Sequence, residues 1–167
     1  TLTSGRITTG GYRVSLSVPC GSGLTRSAGS WVIGNVQLSA PAYGATCTFP
    51  VGDAQNYAPI VVTYPWHAAP LGGTLTGRTD TGDHPDTLSG ISGVGAGRSV
   101  NRYWTLTPGT GSSFYDYSTT LQYCVTTGTS DCTVVDVDFG ATPANFVGAR
   151  KSGGGWSTLA PSSIGAS

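Results

Sequence analysis

Three aspartates, Asp80, Asp83 and Asp86, crowd the stretch TDTGDHPD. Several carboxylate oxygens on a glycine-containing loop suit Ca²⁺, although the EF-hand spacing and its bidentate glutamate are missing. The same side chains can instead cap turns through their own backbone, with His84 and Pro85 setting a tight corner. Asp136 and Asp138 alternate in VVDVDF and so share one face of an expected strand. Two carboxylates on one face are the least a glycosidase needs; they are equally what an exposed strand edge presents. His67 and His84 are the two histidines, and neither lies in a metal-ligand spacing such as H-E-x-x-H. No G-x-S-x-G elbow occurs. No catalytic constellation emerges, and the chain is expected not to be an enzyme. A third chemistry is stacking: YPWHAAP sets Tyr64, Trp66 and His67 among prolines on an expected loop, a platform for a sugar ring.

These residues need strands to position them. In SVNRYWTLTP, strand alternation puts Val100, Arg102, Trp104 and Leu106 on one face and Asn101, Tyr103 and Thr105 on the other. The apolar members mark the first face as core, with Trp104 in it. Arg102 then lies among apolar neighbours and requires a carboxylate, because a buried unpaired charge is very costly. The aspartate-rich loop nearby supplies the expected partner, Asp83 or Asp86. GYRVSLSV alternates Tyr12, Val14, Leu16 and Val18 against Arg13, Ser15 and Ser17, a half-buried strand. WVIGNVQL is a second, with Gly34 as a bulge position. CTFPV, PIVVTY, GTLTGR, TTLQYCV, CTVVDVDF (132–139), NFVGARK and GWSTL continue the series, separated by Gly, Pro, Asp and Asn. About ten short strands without a helical stripe predict an all-β fold, an antiparallel β-sandwich of Ig-like or jelly-roll-like type. Residues 1–17 read separately, as a solenoid-like rung or a donor strand, ahead of a sandwich domain over 18–167.

Composition agrees. The 167 residues carry eight basic and eight acidic side chains, every acid is Asp, and Lys151 is the single lysine. Without Glu and Lys to build helix surfaces, a chain rich in Thr, Ser, Val and Gly favours strands and turns. No basic patch is present to follow a phosphate backbone, so nucleic acid is not an expected partner. No apolar run approaches a membrane span. The sequence contains no Met, as expected of a processed chain or a piece of a longer one. Four cysteines without paired C-x-x-C spacing read as two disulfides in a secreted protein. Of three possible pairings, the local one is expected: Cys20 with Cys47, and Cys124 with Cys132 across the polar tip VTTGTSD.

The order of GGYRVSL, TRSAGSWVIGNVQ, TFPVGDAQNYAPIVV, GTLTGRTDTGDHPD, SVNRYWTLT and ANFVGARKSGGGWST resembles a module of large secreted bacterial surface proteins of repeat-rich, adhesin-like type. The likeness runs over about residues 10 to 159, with the Gly-Asp-His-Pro turn and the Asn-Arg-Tyr-Trp-Thr strand as its signatures. It implies an extracellular, cell-surface module with a structural or adhesive role. The four cysteines are additional to that pattern. Members of that group continue past GGGWST into a further strand, so a neighbouring copy is expected to fill the gap with its own TLTSGRITT. Head-to-tail self-association is therefore the expected mode, with monomeric polysaccharide binding as the alternative. No cofactor is expected beyond the Ca²⁺ considered for Asp80, Asp83 and Asp86.

Overall fold

A computed structural model describes residues 1–20, 24–39, 44–65, 73–89, 97–110, 112 and 117–159. The chain is all-β. Its strands are β1 (Ile7–Pro19), β2 (Val32–Ser39), β3 (Thr46–Phe49), β4 (Val51–Gly52), β5 (Ile60–Thr63), β6 (Thr74–Thr81), β7 (Arg102–Pro108), β8 (Ser118–Leu121), β9 (Gly148–Ser152) and β10 (Gly155–Leu159). The larger sheet runs β1-β2-β6-β7, with β4 also joined to β2; β3-β5-β8 form a second sheet and β9-β10 a hairpin. No helix among the described residues is long and apolar enough to cross a membrane.

The two larger sheets pack face to face in a sandwich-like arrangement. Val32, Val36 and Leu38 of β2 and Leu75 of β6 share one core with Cys47 and Phe49 of β3, Val51 of β4 and Ile60 and Val62 of β5. Burying each such side chain contributes about 1.5–3 kcal/mol, so this shared face holds the layers together. Between β3 and β4 the chain passes from one sheet to the other at Pro50. Proline has no N–H to extend a ladder, and the Pro50 carbonyl instead accepts the Val32 N–H at 2.8 Å.

The sheet is mixed rather than wholly antiparallel. β1 and β4 both pair β2 in parallel, with Ile7 opposite Val32 and Val32 opposite Val51, whereas β6 and β7 are antiparallel additions. β4 occupies the first part of the far edge of β2 and β6 the second part, which leaves a fork between them. The register of β1 on β2 slips between Thr8 and Arg13, a bulge. Gly34, with φ at +115°, makes room for it: a Cβ there would lie 2.1 Å from Thr9 Oγ1. That slip removes Tyr12 from the alternation; its side chain is 85% exposed, not in the core. Val14 and Leu16 keep to the inner face, half-buried. The boundary expected after residue 17 falls inside β1, which lies in the larger sheet of its own chain.

Both expected disulfides form, Cys20–Cys47 and Cys124–Cys132. The second closes a loop rather than clamping a hairpin, because residues 132–139 are not a strand. Their backbone groups find other partners: Asn56 Oδ1 accepts the N–H groups of Thr133 and Val134, and Asp136 N donates to the Cys124 carbonyl at 2.8 Å. Strand-like pairing here is limited to isolated antiparallel bridges, Cys132 with Asn56 and Val137 with Val100, and Val134, Val135 and Phe139 are left exposed.

Gly77 of β6 sits beneath Phe49, where an added Cβ would lie 2.7 Å from the ring. The ring is fully enclosed, so overpacking follows. Gly77→Ala is expected to destabilise the fold by about 1–3 kcal/mol, read as a lower urea midpoint at unchanged slope.

Candidate functional site

Alternation sorts the larger sheet into an apolar inner face and a polar outer one. Along β6, Leu75, Gly77 and Thr79 are buried, while Thr76, Arg78 and Asp80 point outward. Along β7, Arg102, Trp104 and Leu106 point inward, and Tyr103, Thr105 and Thr107 outward. The register sets Thr76 opposite Thr107, Arg78 opposite Thr105 and Asp80 opposite Tyr103. Asn35 and Gln37 of β2 and Arg13 and Ser15 of β1 extend this surface.

Hydrogen bonds cross it from strand to strand. Arg13 Nε donates to Ser15 Oγ at 3.3 Å, Ser15 Oγ to Gln37 Oε1 at 3.2 Å, and Gln37 Nε2 to Thr76 Oγ1 at 3.3 Å. Arg78 Nε donates to Asp80 Oδ1 at 2.9 Å. An open depression of about 340 Å³ lies over Asn35, Thr76, Arg78, Asp80 and the outward side chains of β7. Beside it, at the fork between β4 and β6, a second of about 280 Å³ is also bordered by Arg78 and Asp80 and reaches Asp53.

The aspartate-rich loop closes one end of this surface. His84 meets the Tyr103 ring edge-on at 4.9 Å and the Trp156 ring at 5.0 Å. His84 Nδ1 accepts the Asp86 N–H at 3.1 Å, and the Lys151 ammonium pairs with Asp86. The three aspartates considered for Ca²⁺ are held apart: Asp80 takes Arg78, Asp83 takes the Ser99 hydroxyl at 2.7 Å, and Asp86 takes Lys151. Among the described residues, no group of three or more His, Cys, Asp or Glu side chains is placed to hold a metal ion.

Beneath the surface lies a buried charge network. Arg102 does not reach Asp83 or Asp86; its partners are Asp136 and Asp53. Asp136 receives a two-pronged contact from Arg102, Nε at 3.1 Å and Nη2 at 2.7 Å, together with Asn56 Nδ2 at 3.0 Å and Cys124 N at 2.8 Å. Arg102 Nη1 adds Thr79 Oγ1 at 3.3 Å. Burial works against the Arg102 charge, yet Asp136 and then Asp53 outweigh it and raise the pKa. Asp136 and Asp138 therefore do not share an open strand face. Asp136 is enclosed, and Asp138 accepts from Ser99 N at 2.8 Å and Asn101 Nδ2 at 2.7 Å.

The expected sugar platform fares differently. Tyr64 is 2% exposed and belongs to the core, where burial, with Tyr117 adding to it, pushes its pKa up to about 12. Trp66 and His67 lie outside the described residues. Trp31 is fully buried, its Nε1 donating to the Asp53 carbonyl at 2.8 Å. Trp104 is only half-buried against the core, donating to the Ala58 carbonyl at 3.1 Å, and Trp156 is half-buried beside His84. Of the outer-face residues, Asp80 is raised from sequence only for Ca²⁺, and Tyr103 and Thr105 only as the second face of their strand; Asn35, Thr76, Arg78 and Thr107 are not raised. Their signal was present in the polar alternates of GTLTGRTD and RYWTLT.

Removing one member of the buried pair leaves the other charged and unpartnered. Asp136→Ala is expected to cost about 3–5 kcal/mol in urea denaturation. Acid should act through carboxylates whose pKa the fold depresses, Asp138 and Asp131 among them. Ser99 N–H lowers the Asp138 pKa against opposing burial; at Asp131, burial is outweighed by Arg26 and the Gly29 N–H, again lowering it. Groups whose pKa is depressed on folding stabilise fully above the ordinary carboxylate value, about 3.9, and lose that contribution as pH falls through the folded value. The urea midpoint should hold from neutrality to near pH 5 and drop below pH 4. Asp138→Asn should flatten that drop.

Comparison with protein-family models, with curated proteins and with solved structures finds no match.

Proposed function

We propose that the chain is an extracellular adhesive module that holds polysaccharide on the outer face of its larger sheet. The observation that carries this reading is the open depression lined by Asn35, Thr76, Arg78, Asp80, Tyr103, Thr105 and Thr107. Every lining side chain but one aromatic is a short or planar hydrogen-bonding group. A sugar ring offers a rim of hydroxyls and an apolar C–H face. Amide, guanidinium and carboxylate groups can each engage neighbouring hydroxyls, and the Tyr103 ring, steadied by His84, can meet the apolar face.

The alternatives fit less well. Two outward arginines, Arg13 and Arg78, with Asp80 against one of them, are too little positive charge for a nucleic-acid backbone. A glycoside hydrolase needs two carboxyl groups about the scissile bond, and Asp80 is the acid lining this depression. The two disulfides support an oxidising, extracellular setting.

Affinity electrophoresis through gels containing polygalacturonate, xylan or dextran tests the reading. Retardation by at least one polymer is expected. Arg78→Ala should weaken it about tenfold or more, in line with losing a hydrogen bond from a charged donor, and Tyr103→Ala should do likewise. Thr120→Ala, on β8 in the other sheet, should leave it unchanged. Free migration in all three gels, or retardation indifferent to both variants, would refute the assignment.

A further inference from the structure

We propose that a second copy of this chain adds the edge of its β7 to the edge of β1, in parallel, so that copies extend head to tail as an open ribbon. Strand direction carries the argument. β1 runs parallel to β2, β2 antiparallel to β6, and β6 antiparallel to β7. The two outer strands of the larger sheet therefore point the same way. Moving one copy sideways along the sheet, without turning it over, brings its β7 beside β1 of the next as a parallel neighbour. The ladder on that side is already parallel, running from Val51 through Val32 to Ile7.

Just before β7 the edge is covered by the antiparallel bridge of Val100 with Val137, so addition starts within β7 itself. Among the described residues, β1 pairs only with β2 and β7 only with β6. Natural edges are usually blocked by lysines, prolines or charges. Residues 7–17 carry one charge, Arg13, and residues 103–107 none; neither stretch contains lysine or proline. The bulge before Arg13 and the prolines that end both strands confine pairing to the strand centres.

The inner faces of the two edges are also incomplete in a matching way. Val14 and Leu16 at one edge, and Trp104 and Leu106 at the other, are only partly covered by the core they pack against. Sideways addition sets one pair against the other beneath a continuous sheet. Such a contact uses two different surfaces and does not close on itself, so it propagates, and the twist of the sheet turns the ribbon into a helix. Every copy presents its polar face on the same side. The inference does not depend on what that face binds.

Variants with one added cysteine, Ser15→Cys on β1 and Thr105→Cys on β7, place an exposed free thiol at the centre of each edge while the four native cysteines stay paired. Thr107→Cys provides a second register. Light scattering of the unmodified chain should show mass rising with concentration above 16.9 kDa. A bis-maleimide linker should then join Ser15→Cys to Thr105→Cys or Thr107→Cys in a mixture, and should join none of the three to itself. A monomer at every concentration overturns the proposal. So does self-linking of Ser15→Cys, which marks a two-fold β1–β1 contact, and so does mass growth without either mixed product.

Discussion

The contact between Arg102 and Asp136 constrains this structure more than any other. A guanidinium pointing into a sandwich core is tolerable only if its charge and its N–H groups are met there. Asp136 meets it with both oxygens and is itself held by Asn56 and by the Cys124 N–H. That requirement draws residues 124–136 against the end of β7 and ties them to the turn carrying Asp53 and Asn56. It also fixes which way β7 faces. With Arg102 inward, Tyr103, Thr105 and Thr107 must point outward, so the outer surface depends on a pair buried below it.

Sequence periodicity reported the regular parts of the molecule well. The alternation in GYRVSLSV, WVIGNVQL, GTLTGR and RYWTLT gave strands in each case, and the local choice among three cysteine pairings matches both disulfides, although the hairpin expected between Cys124 and Cys132 is absent. It failed where side chains supplied what a ladder normally supplies. CTVVDVDF alternates as a strand does, yet Asn56 takes two of its N–H groups, and Asp136 turns inward while Val134 and Val135 face solvent. Nothing local in that stretch announces an asparagine more than seventy residues earlier. Arg102 illustrates the same limit. Its need for a carboxylate was legible from its apolar neighbours, but the identity of the partner was a matter of long-range packing. Tyr12 lost its place through a bulge whose cause, the room left by Gly34, lies on a different strand.

Strand direction was hidden for a related reason. Alternation says which face a side chain occupies, not which way its neighbour runs. β4 reaches β2 in parallel because the chain crosses between sheets at Pro50 instead of returning beside itself, whereas the parallel pairing of β1 with β2 is set earlier, between Pro19 and Val32. The fork that results, with β4 and β6 sharing one edge of β2, shapes the depression above Arg78 and Asp80. Topology that no short window could reveal thus contributes directly to the geometry of the site.

The disulfide that follows β1 has a mechanical consequence. Cys20 comes immediately after Pro19 and is bonded to Cys47 in β3, across a sequence separation of 27 residues. Tension applied at the N-terminal end runs along β1, where the bonds to β2 are loaded together in shear rather than opened one by one. Should that strand peel away, the load passes through the sulfur bridge straight into the second sheet. The intervening segment, β2 included, is then excluded from extension. That segment lies off the path of the force until the covalent link is reduced.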